Sequence, residues 1–273
     1  MPRILFLNKA PPYQDSGAEK VIWEVGKHLA EHDWEVHYLC PLNSEEQVPP
    51  KRQNIDFHTV DTPDSYLASR VSYFVTGISK YRRLVAELNP DIIYDNASPL
   101  MFVYTHLANP ERTLTKVHGI NGRQAFTNKP HIPTKVGTFL GDQLYRLKDG
   151  KRILTVSKST KERLKGRVRK NHDKISVVQN GINVEEFEYQ FSPDGPILCL
   201  CMLTPRKNVA TLLKAWHQLE QQGVDRELII AGDGPSRTNL ESLARRLGLK
   251  QTTFRGYVSE GTKRRLLQEA YCY

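Results

Sequence analysis

The side chains best suited to chemistry in this chain lie in short loops, and each loop follows a stretch that reads as a β-strand. Gly17 sits in "APPYQDSGAEK", His118 in "VHGING", and Asn180 with Gly181 in "VVQNGIN". Arg206 and Lys207 sit in "LTPRKNV", and Gly232 and Gly234 in "IIAGDGP". A glycine just before a helix lets backbone approach a ligand, and the helix start favours an anion. Its plain alternative is a helix cap. His118, flanked by Gly119 and Gly122, could hydrogen-bond a sugar hydroxyl or act as an acid or base, against a purely structural histidine. Asn180-Gly181 suits a tight turn with positive backbone dihedrals. Two cations at the start of a helix could hold a diphosphate, against ordinary solvated charge. The Gly232-x-Gly234 loop could pass close to a nucleotide, but it is not the G-x-G-x-x-G fingerprint, and no Walker lysine motif occurs.

The elements that must position these loops alternate. "RILFLNKA", "EVHYLCPL", "DFHTVD", "DIIYDNA", "RTLTKVHG", "RILTVSKST" and "KISVVQNGIN" read as strands. "EKVIWEVGKHLAEHD" reads as an amphipathic helix with Val21, Ile22, Val25 and Leu29 on its apolar stripe, and "SKYRRLVAELNP" as a helix stopped by Pro90. From about Pro196 the pattern restarts. "ILCLCML", "RELIIAGDG" and "TTFRGY" are strands, and "NVATLLKAWHQLEQQG", "SRTNLESLARRLG" and "SEGTKRRLLQEA" are helices. Asn208 and Ser236 are expected to cap the first two of these helices, and Gly248 to stop the second. Such alternation predicts two doubly wound parallel sheets whose ligands bind beyond the carboxyl ends of the strands.

Composition narrows the classes. At 273 residues and 39% hydrophobic, the chain can bury the cores of two ordinary domains. Its 39 Lys and Arg against 30 Asp and Glu give +9, a field that attracts sugar nucleotides, nucleic acid or acidic headgroups. Nucleic-acid binding is set aside, since no basic patch interleaved with aromatics appears. Cys40, Cys199, Cys201 and Cys272 form no metal-ligand spacing, and Cys199 and Cys201 read as small apolar residues on one strand face. No segment reaches membrane-spanning length, so a cytoplasmic location is expected, with peripheral association at the inner membrane face through "KSTKERLKGRVRKNHDK" weighed against a solvated helix.

The ordered segments "SGAEKVIWEVGKHLAEHDWEV", "VHG", "TVSKSTKERL", "VVQNGIN", "LTPRKNVATLLKAW", "LIIAGDGPSRTNLESLARRLGL" and "FRGYVSEGTKRRLLQEA" resemble the family 4 retaining glycosyltransferases. That resemblance implies the GT-B architecture: an α/β chain of two facing Rossmann-like, doubly wound parallel-sheet domains. The acceptor-side domain would occupy residues 1–190 and a partial donor domain residues 191–273. It implies transfer of a sugar from a nucleoside-diphosphate sugar to a glycan, lipid or polysaccharide-precursor acceptor at the cleft between domains, with retained anomeric configuration. Gly17 would then sit by the donor phosphate or acceptor, His118 by the transferred sugar as the catalytic-site residue, and Lys207 on the diphosphate. Gly232 would line the nucleotide loop, and the backbone around Tyr257 and Val258 would meet the base. No cofactor beyond the sugar nucleotide is implied, and no metal.

Two departures qualify the resemblance. The family has an arginine five residues before the lysine, where this chain has Met202; Arg206 is the candidate to compensate. The family also continues past "QEA" into an apolar strand and a helix with two glutamates, whereas this sequence stops at Tyr273. The expectation is a donor domain cut short, with "ILCLCML" left as an unpaired sheet edge and turnover impaired. The rival reading is a non-catalytic truncated relative that binds an acceptor, membrane or partner.

Overall fold

A computed structural model of the chain describes residues 1–13, 17–42, 50–64, 66–96, 105, 108–120, 151–168, 172–186 and 192–273. They divide into two compact units that meet in sequence at residues 181 and 182.

The first unit is a seven-stranded, all-parallel sheet. Its strands are β1 (Arg3–Asn8), β2 (Glu35–Leu42), β3 (Ile55–Asp61), β4 (Ile92–Asn96), β5 (Thr113–Val117), β6 (Arg152–Thr155) and β7 (Ile175–Val177), in the order β3-β2-β1-β4-β5-β6-β7. Chain direction through the sheet reverses between β1 and β4, the switch point at which doubly wound folds bind ligands. Helices α1 (Gly17–Glu31), α2 (Tyr66–Leu88) and α3 (Lys158–Lys165) connect strands. Alternation along β1 explains why both faces are covered. Leu5 and Leu7 join Leu39, Tyr73, Tyr81, Leu84 and Ile93 in the core shared with α2. Ile4 and Phe6 point the other way, into the core with Ile22 of α1, Val36, Tyr38 and Tyr94. On that face Tyr94, Phe6, Tyr38 and Phe57 stand side by side on four adjacent strands, with neighbouring ring centroids 5.0–5.2 Å apart. This ladder pins the register, since a one-residue slip would turn every ring to the opposite face.

The stripe of α1 differs from the one its sequence predicts. Ile22 is buried, but its neighbours on the inner face are Glu19 and Gly26, while Val25 is exposed. The cause is Tyr38, whose hydroxyl donates to the Ile22 carbonyl at 3.1 Å. A Cβ on residue 26 would overlap the Tyr38 ring. The helix therefore rotates its glycine onto the tyrosine.

The second unit holds β8 (Ile197–Leu200), β9 (Leu228–Ala231) and β10 (Thr252–Gly256) in the parallel order β10-β9-β8, with helices α4 (Val209–Gln221), α5 (Arg237–Leu247) and α6 (Glu260–Glu269). One core gathers Leu203, Val209, Leu213, Trp216, Ile230 and Leu240; another packs Leu198 and Ile229 against Leu266. The expected open edge of β8 is corrected. The Tyr271 N–H donates to the Pro196 carbonyl and the Leu198 N–H to the Cys272 carbonyl, each at 2.9 Å, and Ile197 and Cys272 form a parallel bridge. Arg226 lies over the Tyr271 ring at 4.2 Å and holds the returning segment. Residues 271–273 thus run beside the start of β8, on the side away from β9.

Helix ends also depart from expectation. Gly248 stops α5 in the left-handed conformation (φ 68°). Ser236 makes no side-chain cap bond, and neither does Asn208, which adopts φ 52° after the tight Pro205–Lys207 turn and accepts instead from the Thr211 hydroxyl. Asn180 and Gly181 lie in an exposed stretch with no turn, and neither has positive φ. Val178 ahead of them gives its carbonyl to Lys116, at 2.9 Å, which holds this stretch extended.

Candidate functional site

In the first unit, polar groups collect where β1, β4 and β5 end. The side of the sheet that faces α1 is aromatic at its middle and polar at its carboxyl end. Along β1 the series Ile4, Phe6 ends in Asn8; along β4 Tyr94 is followed by Asn96; along β5 Leu114 is followed by Lys116 and, just past the strand, His118. The two-residue period of a strand places all of these on one face. The His118 Nε2 lies 2.7 Å from the Asn96 Oδ1. Glu19, fully buried in the first turn of α1, approaches the Lys9 Nζ at 3.9 Å. A carboxylate there complements the positive end of the helix. Gly17 opens α1 and is exposed; a Cβ there would meet nothing within 4 Å, so neither backbone nor packing demands glycine. The same open space surrounds Gly119, while Gly122 lies outside the described residues.

Burial pushes His118 down to about 4, with the nearby Lys116 and Lys9 cations reinforcing the shift. Lys116 is itself lowered by burial. His118 is therefore neutral at pH 7, and the Asn96 carbonyl oxygen, an acceptor, assigns its proton to Nε2. Nδ1 is left as an acceptor. The unfolded chain protonates this histidine near its ordinary value of 6.5. Between pH 6.5 and 4 the unfolded state then binds more protons, so its contribution is fully present above pH 6.5 and is lost as pH falls toward 4. The gap corresponds to about 3 kcal/mol. Urea unfolding of the wild type is expected to lose roughly 2–3 kcal/mol more than His118→Gln between pH 7 and 4.5. Equal losses would show that this imidazole is not held neutral.

In the second unit three loops leave the carboxyl ends of the strands and are stitched to one another. Cys201 N–H donates to the Ala231 carbonyl, Leu203 N–H to Asp233, Gly232 N–H to Gly256 and Ser236 N–H to Leu203, all within 2.7–3.0 Å. Gly232 (φ 129°) and Gly234 (φ 154°) have no room for a Cβ, which would run into the backbone of Cys201 and Leu203 respectively. Here glycine is dictated by close packing of loop on loop. Arg237 pairs with Asp233 at 3.0 Å and Glu241 at 2.8 Å, and the Gly234 N–H together with Arg237 holds the Asp233 carboxyl below its usual range.

Arg206 and Lys207 occupy the turn before α4 and are exposed, and no carboxylate among the described residues pairs with either. Met202, just upstream, is also exposed at 67%. No side-chain oxygen caps α4, whose first N–H groups stand beside these cations. Tyr257 is exposed at 74%, whereas Val258 turns inward to the core around Leu198 and Leu266. Cys199 and Cys201 share a face with sulfurs 4.0 Å apart, and burial pushes the Cys199 thiol up to about 12, which keeps it protonated. Among the described residues no cluster of three His, Cys, Asp or Glu could hold a metal, and no helix is long and apolar enough to cross a membrane. The basic segment forms α3, whose Lys165 pairs with Glu162 and whose Arg163 donates to the Ile120 carbonyl; Arg169 and Lys170 lie outside the described residues.

Sequence reasoning picked out His118 and the loop cations but passed over Asn8, Lys9, Glu19, Asn96 and Lys116. A signal was present: "RILFLN" and "DIIYDN" both close an apolar strand with asparagine.

Known proteins identify the fold and the family. An uncharacterized glycosyltransferase of Methanocaldococcus jannaschii is 31% identical over 134 residues, 43% of this chain and 34% of that protein, so the match spans about a third of the relative. Sucrose-phosphate synthase from Thermosynechococcus elongatus superposes on the whole chain, covering 75% of that structure, with a TM-score of 0.73 at 15% identity. Anabaena HepE, solved with UDP and glucose, superposes on 99% of the chain and 73% of its own length, with a TM-score of 0.70 at 14% identity. These likenesses show the GT-B fold. Residues 185–273 match the group described as Glycosyl transferases group 1. Residues 16–186 match Glycosyltransferase Family 4, and the chain belongs to that family.

Proposed function

We propose that the chain acts as a retaining glycosyltransferase that moves a sugar from a nucleoside-diphosphate sugar to a hydroxyl of a glycan, lipid or polysaccharide precursor. The observation that carries this reading is the pair of exposed cations Arg206 and Lys207 in the turn after β8, which no carboxylate among the described residues neutralises, ahead of an uncapped helix. In the transfer the bond from the anomeric carbon to the diphosphate breaks, negative charge grows on the leaving group, a bond to the acceptor oxygen forms, and the acceptor hydroxyl's proton passes to the departing diphosphate. Preorganised positive charge at that point lowers the barrier without a resident metal. Lys207 takes the diphosphate, and Arg206 supplies the charge that Met202 lacks. Gly232 keeps the nucleotide loop close to the β8 loop, and the backbone at Tyr257 and Val258 meets the base. In the first unit, neutral His118 offers Nδ1 to a hydroxyl of the transferred sugar, and the open space at Gly17 admits a phosphate or acceptor. HepE, solved with UDP and glucose, supports a uridine nucleotide as the first donor to test.

Incubation with a panel of UDP-sugars and polyol acceptors, followed by proton NMR of the anomeric signal, tests the reaction and its stereochemistry. Transfer with an inverted anomer would reject retention. Arg206→Ala is expected to lower donor affinity about tenfold; an unchanged affinity would show that Arg206 does not replace the missing arginine. Binding of UDP-sugars with no transfer to any acceptor would favour the non-catalytic reading. The exposed Lys158 and Arg163 of α3 leave peripheral contact with anionic lipid as an acceptor-side proposal, tested by salt-sensitive sedimentation with acidic vesicles.

A further inference from the structure

Two buried amides at the switch point have polar atoms left without a partner among the described residues. Asn8, 0% exposed, ends β1, and Asn96, 3% exposed, ends β4; they are direct partners in the parallel register. Among the described residues, neither Oδ1 nor Nδ2 of Asn8 has a hydrogen-bond partner, and the Nδ2 of Asn96 has none. Buried amides are normally paired, and an unpaired one carries its full desolvation penalty. Leucine would fill nearly the same volume without that penalty, so packing does not account for two such residues side by side.

We propose that Asn8 and Asn96 form a hydroxyl-binding amide pair, a subsite for sugar or polyol hydroxyls beside His118. The proposal rests on the glycosyltransferase reading and adds two substrate-contacting residues to it. The ligand class follows from the groups on offer. An uncharged amide presents donors and an acceptor together, which matches a hydroxyl that both gives and takes a proton. The Nδ2 groups of Asn8 and Asn96 would donate; the Asn8 Oδ1 and the His118 Nδ1 would accept. Phosphate suits the place poorly, because Lys9 faces the Glu19 carboxylate and Lys116 is spent on the Val178 carbonyl. Asn96 has a second part in this arrangement, since its Oδ1 keeps the His118 proton on Nε2.

The test compares wild type with Asn8→Leu and Asn96→Leu by three measurements. Thermal unfolding should show a midpoint unchanged or raised in Asn8→Leu, because an unpaired polar group is exchanged for an apolar one of similar shape. Calorimetric titration should show the preference for UDP-glucose over UDP falling about tenfold, the loss expected for one or two hydrogen bonds. Saturation-transfer NMR with free glucose and myo-inositol should lose its contacts in both variants. A deficit confined to UDP-glucose assigns the hydroxyls to the donor sugar, and one confined to free polyols assigns them to the acceptor. A midpoint lowered by several degrees in Asn8→Leu would overturn the proposal, marking the amide as a structural, water-bridged group. So would unchanged sugar preference and polyol contacts. The histidine gives a separate check: nitrogen-15 shifts should place the wild-type His118 proton on Nε2 and move Nδ1 on addition of myo-inositol, and an Nδ1 that stays still would count against the subsite. Failure of the wild type to bind both UDP and UDP-glucose would sink the glycosyltransferase reading instead, while the unfolding and polyol measurements would still decide the amides.

Discussion

Lys207→Ala is expected to weaken UDP binding by about ten- to a hundredfold and to leave uridine binding unchanged. The lysine lacks a counter-charge among the described residues. It is exposed in the turn that ends at Lys207, no carboxylate among the described residues neutralises it, and Arg206 precedes it. Two uncompensated cations beside an uncapped helix start are a place of positive potential, so a diphosphate gains more there than a neutral nucleoside. Removing one charge should cost a charge-assisted hydrogen bond to phosphate, worth about 1.5–3 kcal/mol, and nothing at the base. Isothermal titration with UDP and with uridine separates the two. Raising ionic strength should weaken UDP binding more in the wild type than in the variant. A variant that lost affinity for uridine as strongly as for UDP would show that the substitution had disturbed the loop rather than a phosphate contact.

Gly232→Ala is expected to lower the unfolding midpoint by roughly 10 °C or more. Two costs combine at this residue. Its φ of 129° is strained for any residue with a Cβ, and that Cβ would press into the carbonyl of Cys201, whose carbon lies 2.9 Å from the Cβ position. Strain and overpacking each cost about 1–3 kcal/mol. The Cys201 backbone cannot give way cheaply, because its N–H is already paired with the Ala231 carbonyl. Gly17→Ala is the control. With ordinary φ and nothing within 4 Å of a Cβ, it should leave the midpoint unchanged or slightly raised. If differential scanning calorimetry gave the two variants the same midpoint, the packing account of Gly232 would fail. A Gly17→Ala chain with normal stability and weakened substrate binding would mark Gly17 as a ligand approach.

The two glycines show the limit of a linear reading. In sequence both stand in loops between strand and helix, and both invite the same inference of close ligand approach. Only the fold separates them, because the neighbour that excludes a Cβ at Gly232 is the backbone of another loop some thirty residues away. The stripe of α1 makes the same point. Its apolar spacing is legible, but its rotation depends on a tyrosine of β2 that claims the space at Gly26.

What the sequence by itself determined is the alternation of strand and helix, the all-parallel sheets and the loops where chemistry collects. These follow from hydrophobic period and turn residues, which are local. Family membership was legible too, through the order of short motifs. The tertiary structure alone decided which polar residues meet: Asn8, Asn96 and His118 lie at the carboxyl ends of three strands that are distant in sequence and adjacent in the sheet. It also decided that His118 is neutral, that the edge of β8 is met by residues 271–273, and that Asn208 does not cap α4. Burial, pairing and charge state are properties of neighbours, and neighbours are chosen by strand order rather than by chain order.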